Sequence, residues 1–293
     1  MDWELFLQQL VSGLSIGAIY SLLAVGYALV YSVYNFTNWA FDGFMAFGAF
    51  AGLTAITMQI MPTWIAVIVS ILVTIGLSVG TEVTSYRPLR NRKAPRLFMM
   101  ISAMGVNLAV VNTLNLIYGG TFRKFPFEDM DPLFLGSISI GRMDLIAGLI
   151  SFAVLGLLWL FLYRTRLGLG ILCSSVDITT ASLMGINNNA VAVTIFAITG
   201  ILSAVAGMFY GMKYAVYPVM GGITVKAMIA SIVGGLGSLP AAILGSMLLG
   251  VTETFVAGYL SSTYRDLFSF TFLIVFLLFL PNGLLGQSLE EKL

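Results

Sequence analysis

Long uninterrupted runs of apolar residues dominate the chain, and polar positions are confined to the short connections between them. Eight runs are long enough to matter to a bilayer: Leu5–Tyr31, Asn38–Ile60, Thr63–Val83, Leu97–Tyr118, Leu145–Tyr163, Ala190–Met212, Ala227–Gly258 with a break near Gly234–Pro240, and Phe268–Leu280. A helix needs about 20 apolar residues to cross the hydrocarbon. Lipid offers no partner to an unpaired backbone N–H or C=O, so a span is either helical or part of a closed barrel. The runs are continuous and do not alternate, which selects helices. The expected fold is all-α and polytopic, one transmembrane domain over residues 1–293. Composition agrees: with 59% hydrophobic and 9% charged residues and a mean hydropathy of +0.98, the apolar surface exceeds what a soluble core could hide.

The net charge of +1 says little, because in a membrane protein the position of the cations informs. Arg87, Arg90, Arg92, Lys93 and Arg96 crowd one connection, and Arg164 and Arg166 follow the fifth run, which places both on the cytoplasmic side. The connection at about 119–144 then faces outward, and there Glu128, Asp129, Asp131 and Asp144 balance Arg123, Lys124 and Arg142. The start carries Asp2 and Glu4 without Lys or Arg. That predicts an outside N-terminus if the first three runs all cross, and a re-entrant run among them would reverse it. The acidic start and long first run also argue against a cleaved signal peptide.

Several chemistries are disfavoured. A single cysteine, Cys173, precludes an internal disulfide and a thiolate cage, and the lack of histidine removes the commonest metal ligand and general base. No Walker-type loop is present, so ATP is not hydrolysed by this chain. No cofactor, metal or nucleic-acid partner is expected. Polar backbone signals remain. Gly234-Gly235-Leu236-Gly237-Ser238-Leu239-Pro240 interrupts the seventh run and will not hold a regular helix. Breaks of this kind line the substrate route of many transporters. Asn35, Thr37, Asn38 and Asp42 lead into a glycine-spaced piece with Gly43, Gly48 and Gly52, a possible counterpart in a weak internal inverted repeat. Asn38, Asp42, Gly43, Gly48, Gly234, Gly235, Gly237 and Pro240 are the candidate path residues, and Asp42, Glu82 and Glu253 are candidate intramembrane carboxylates. No two carboxylates share one helix face in mid-span, which weakens an ion-coupled carrier reading. The segment at about 164–190 is amphipathic and ends in Leu183-Met184-Gly185-Ile186-Asn187, where the glycine can close a helix, so a docking role is expected.

Leu167-Gly168, Asp177, Ala181-Ser182-Leu183-Met184-Gly185-Ile186-Asn187, Lys226-Ala227, Gly234 to Pro240 and Gly245 together resemble the permease subunits of branched-chain amino acid ABC importers, in the same broad group as urea and short-amide importers. Gly13-Leu14, Gly17-Ala18, Tyr20, Tyr86-Arg87-Pro88-Leu89-Arg90, Gly105, Asn112, Pro281, Gly283-Leu284 and Gly286 extend the match over nearly the whole chain. The resemblance implies a translocation path for a small zwitterion with an apolar side chain, such as leucine, isoleucine or valine. It implies four kinds of company in a plasma (inner) membrane: a homologous second permease subunit, two cytoplasmic ATPase subunits, an extracytoplasmic substrate-binding protein and membrane lipid. Gly168, Asp177, Leu183, Gly185 and Ile186 fall on the family's ATPase-coupling segment. Two departures stand out. Leu169, Leu172, Val176, Ile178 and Thr179 occupy positions where charge is usual, and Asn38-Trp39-Ala40-Phe41-Asp42-Gly43 lacks the family's His and carries its carboxylate one residue early, a rotation of about 100° on a helix. The last run's Pro-Asn-Gly-Leu also lacks the usual arginine. Urea or a short amide is the alternative cargo. An ion-coupled carrier or a non-transporting scaffold are the alternative classes.

Overall fold

The structure is a computed structural model that describes residues 3–58, 62–126, 133–135, 138–280 and 283–285. The positions Asp2, Glu128, Asp129, Asp131, Pro281 and Gly286 singled out above lie outside the described residues. Among the described residues the chain forms helices α1 (Trp3–Tyr34), α2 (Phe41–Thr57), α3 (Thr63–Thr81), a π-turn (Glu82–Tyr86), α4 (Arg87–Asn91), α5 (Arg96–Tyr118), α6 (Arg142–Arg164), α7 (Arg166–Val176), α8 (Ile178–Leu183), α9 (Asn188–Lys213), α10 (Gly222–Gly234), α11 (Leu239–Tyr259) and α12 (Arg265–Phe279). Between α5 and α6 sits a short antiparallel hairpin, β1 (Leu133–Leu135) with β2 (Ile138–Ile140), where the sequence suggested only a loop. Seven of the described helices are long and apolar enough to cross a membrane: α1, the α3–α4 rod, α5, α6, α9, α11 and the rod ending in α12. The chain is a multi-pass membrane protein.

Two compact units share the chain: residues 1–28, 127–153 and 223–293 form one, and 29–126 with 154–222 the other. Neither is contiguous, because α1 and α6 each pass from one to the other. In the first unit α1 lies against α11. A Cβ on Gly13 would stand 2.9 Å from Val251 Cα, and one on Gly17 3.1 Å from Met247 Cα, so the backbones meet as small residues allow in lipid. In the second unit α2, α3 and α9 pack together the same way: a Cβ on Gly48 would lie 2.8 Å from Ala204 Cα, and one on Gly200 2.9 Å from Ile75 Cα. Hydroxyls there bond across helices, Ser70 Oγ to the Gly48 carbonyl at 2.6 Å and Ser78 Oγ to the Phe196 carbonyl at 2.7 Å.

Three expectations are revised. The second run does not start as a helix: α1 stops at Tyr34, Asn35 takes φ of 52°, and helix resumes only at Phe41. Its 17 residues reach about 25 Å, short of a full span. The third run continues through the π-turn to Asn91. The seventh run is no interrupted through-going span. Gly235 and Gly237, with φ of 127° and 89°, reverse the chain, and α10 returns antiparallel along α11. A Cβ on Gly234 would overlap the Ala241 carbonyl and one on Gly245 the Ala230 carbonyl, so the two helices touch backbone to backbone. Left-handed φ at two glycines turns a break into a hairpin, because no residue with a side chain adopts that path cheaply.

Candidate translocation path and coupling segment

Asp42 is the second residue of α2. Its Oδ2 accepts a 3.2 Å hydrogen bond from Asn107 Nδ2, and its Oδ1 is buried without a hydrogen-bond partner, as is Asn107 Oδ1. Asn107 lies midway along α5, so this carboxylate sits at the level of that helix's centre and not at its end. Opposite stands Gly221, the last residue of the non-helical stretch 214–221, in which Val216 and Met220 are fully buried. A Cβ on Gly221 would overlap the Asp42 carboxylate. Non-helical backbone deep in a membrane protein persists only where protein covers it or water reaches it. Carboxylate, amide and irregular backbone thus converge. The sequence flagged Asp42; it missed Asn107 and Gly221, whose only signals are a polar residue in an apolar run and a glycine pair at the start of a short helix.

The other early candidates divide. Asn38 is fully buried, and its Oδ1 accepts from Tyr86 OH at 2.8 Å and from the Ala40 N–H at 3.1 Å, so it organises the gap between α1 and α2. Gly43 lets Asn107 approach, since its Cβ would stand 3.0 Å from Asn107 Oδ1. Gly48 serves helix packing, as described above. In the first unit Gly234, Gly235 and Gly237 make the reversal, and Pro240 opens α11, where its missing N–H has no intrahelical role. The late Gly283-Leu284 motif closes that turn: Leu284 and Leu285 donate to the Val233 and Gly234 carbonyls at 2.9 and 3.0 Å.

Two ion clusters around buried carboxylates escaped the sequence reading: one lies along the α3–α4 rod and the other joins α10, α11 and the start of α12. Glu82 in the π-turn is fully buried and meets Arg90 Nη2 at 2.8 Å and Arg87 Nε at 3.7 Å. Arg90 also donates to Asn189 Oδ1 at 3.0 Å and stands over the Tyr34 ring, joining α4 to the start of α9 and the end of α1. Glu253 on α11 meets Lys226 Nζ of α10 at 2.6 Å and Arg265 Nε at 3.4 Å, and accepts from Tyr20 OH at 2.9 Å. Lys226 reaches on to Asp266 at 2.7 Å. The absence of a carboxylate pair on one helix therefore does not mean an absence of paired ions.

The segment after α6 is built from capped turns. Thr165 Oγ1 accepts from Gly168 N–H at 3.0 Å to start α7. Asp177 caps α8 through the N–H groups of Thr179 and Thr180 and the Thr180 hydroxyl, which hold its carboxyl below the usual carboxylate range. Gly185, with φ of 89°, ends α8: its N–H donates to the Ser182 carbonyl and that of Ile186 to the Ala181 carbonyl, both at 3.1 Å, a Schellman closure. Asn187 then caps α9. Leu183, Met184 and Val176 are left more than 80% exposed. Gly168 is no part of that surface. It is buried in the corner between α6 and α7, where a Cβ would stand 2.5 Å from Leu162 Cα.

Spans joined by backbone-close packing, a carboxylate against irregular backbone and a capped apolar appendage make this a polytopic α-helical membrane protein with polar groups held among its spans. The chain belongs to the family described as branched-chain amino acid transport system / permease component, which it matches over residues 9–280. It is 35% identical to the high-affinity branched-chain amino acid transport system permease protein BraD of Pseudomonas aeruginosa, with 98% of each chain covered. To the corresponding LivH protein of Salmonella typhimurium it is 33% identical, covering 98% of this chain and 97% of that one. A probable LivH permease of Methanocaldococcus jannaschii is 27% identical, over 92% and 89%. In fold the chain is similar to one in the structure of PsaBC from Streptococcus pneumoniae in complex with Fab, with a TM-score of 0.51, 14% identity, and 100% and 96% of the two chains covered.

Proposed function

We propose that this chain forms part of the translocation path of an ATP-driven importer of branched-chain amino acids. The observation that carries the reading is Asp42: a carboxylate level with the middle of α5, one oxygen buried without a partner, beside the irregular stretch 214–221. An ammonium group passing that point finds a charged acceptor, and the apolar helices around it suit an aliphatic side chain. Kinship to the BraD and LivH proteins supports the cargo. The segment 164–190 docks a cytoplasmic ATPase through Leu183, Met184 and Gly185, with Ile186 and Asp177 holding their geometry. Two such ATPases, a homologous second permease and an extracytoplasmic binding protein complete the assembly in the plasma (inner) membrane. ATPase closure pushes on that segment and rocks the helices so that the path opens outward. Reconstitution with its partners tests this: leucine uptake should require ATP and fall strongly in Asp42→Asn, with assembly intact. Uptake by this chain alone would replace the reading with a secondary carrier.

A further inference from the structure

The second unit carries an apolar groove of about 570 Å³ with α2 as its floor and α3 and α5 as its walls. Its rims are open: Val73 on α3 and Ile117 on α5 are 43% and 67% exposed. Along its length the polar side chains are engaged within the protein: the hydroxyls of Thr54 and Tyr118 meet at 2.7 Å, and Thr113 Oγ1 donates to the Ala109 carbonyl at 2.7 Å. At one end stands a fixed cation. The Tyr118 ring stacks on Phe50 at 4.5 Å, and the Arg123 guanidinium lies 5.4 Å from that ring and donates to the Tyr118 carbonyl at 2.6 Å. The Arg123 backbone is bonded in both directions to Val216, at 2.9 and 2.8 Å, which anchors the cation at the end of the α5 span. Lys124 follows it, also exposed.

An apolar slot that ends beneath an anchored guanidinium at a membrane boundary is complementary to one chemistry. We propose that it binds an acidic phospholipid, one acyl chain lying along α2 and the phosphate on Arg123. A docked transmembrane helix fits worse. Ala51 and Ala55 on the floor are small, but the walls carry Val69, Val73, Val110 and Ile117, which hold a partner backbone off, and an apolar helix brings no negative charge to Arg123. A neutral lipid would fill the slot but leave the cation unused. One cation at an anionic headgroup favours the acidic lipid about fivefold.

The full chain, exchanged into bilayer discs holding equal phosphatidylglycerol and phosphatidylcholine and then stripped with detergent, is examined by native mass spectrometry for retained lipid. We expect phosphatidylglycerol to be kept about fivefold over phosphatidylcholine. Arg123→Gln should bring the two to parity while Arg123→Lys keeps the preference. Ala109→Phe, which fills the slot from an exposed position on α5, should release both. Equal retention of the two lipids by the unaltered protein, or a preference untouched by Arg123→Gln, overturns the proposal. So does a photoreactive group at Val73 that cross-links to protein rather than to lipid.

Discussion

Gly221 has no room for a methyl group, because the carboxylate of Asp42 occupies the place where a Cβ would go. That contact makes the pair testable as a unit. Gly221→Ala should abolish most transport while leaving membrane insertion normal, since Asp42 must swing away from Asn107. In an Asp42→Ala background the same change should cost little more, because the obstacle is gone. Uptake measured over this double-mutant cycle reads the coupling, and additive losses would mean that the two residues act separately. At this scale the sequence identified the carboxylate but not its surroundings. One of three asparagines in α5 and a glycine ahead of α10 become a site only when the chain brings them within contact.

Close helix approach, at the level of elements, is what the glycines secure. Gly245 faces the α10 backbone, whereas Gly105 on α5 has open space around it. Gly245→Leu should lower stability by about 1–3 kcal/mol through overpacking, read as a fall in melting temperature of the purified protein, while Gly105→Leu should change little. In the appended segment, α8 hangs on its two caps. The hydrogen bonds from the Thr180 hydroxyl and from the N–H groups of Thr179 and Thr180 lower the Asp177 carboxyl below its unfolded value of about 3.9. A depressed folded value means that the cap contributes fully above the unfolded value and is lost as pH falls through the folded one. Amide protection of Ala181–Leu183, corrected for intrinsic exchange, should therefore hold from about pH 7 to 5 and drop below about pH 4. Asp177→Ala should lower it throughout and flatten the response. Gly185→Trp should uncouple ATP hydrolysis from transport without preventing binding-protein docking, and transport that survives it undiminished would remove Gly185 from the coupling role.

In the whole molecule, buried charge is the structure's largest commitment. Glu253 is almost fully buried among Lys226, Arg265 and Tyr20, whereas Asp266, the outer member of that cluster, is 71% exposed at its side chain. Glu253→Gln leaves the part-buried Lys226 and Arg265 short of a counter-charge and should cost about 1–3 kcal/mol, against less than about 1 kcal/mol for Asp266→Asn. Thermal unfolding in detergent distinguishes them, and equal shifts would show that the cluster is not held by burial. Affinity capture of the chain from native membranes should bring ATPase subunits and a second permease. Arrival of the chain alone would remove those partners from the proposal.

Fold class, the apolar runs, the cation-rich turns and the closing role of Gly185 were all written in the sequence, because each depends on neighbours a few residues apart: bilayer thickness sets run length, and φ sets a helix end. The same locality is why Gly234–Pro240 read as a break but not as a reversal. Whether a break kinks a span or folds it back depends on what packs beside it, here α10 against α11 with Gly283 and Leu284 closing the turn. Pairing of Arg90 with Asn189, of Glu253 with Lys226, and of Asp42 with Asn107 and Gly221 likewise belonged to the tertiary structure alone. Each joins residues on separate elements, and in a medium that cannot solvate them it is the packing of those elements that decides which polar groups meet.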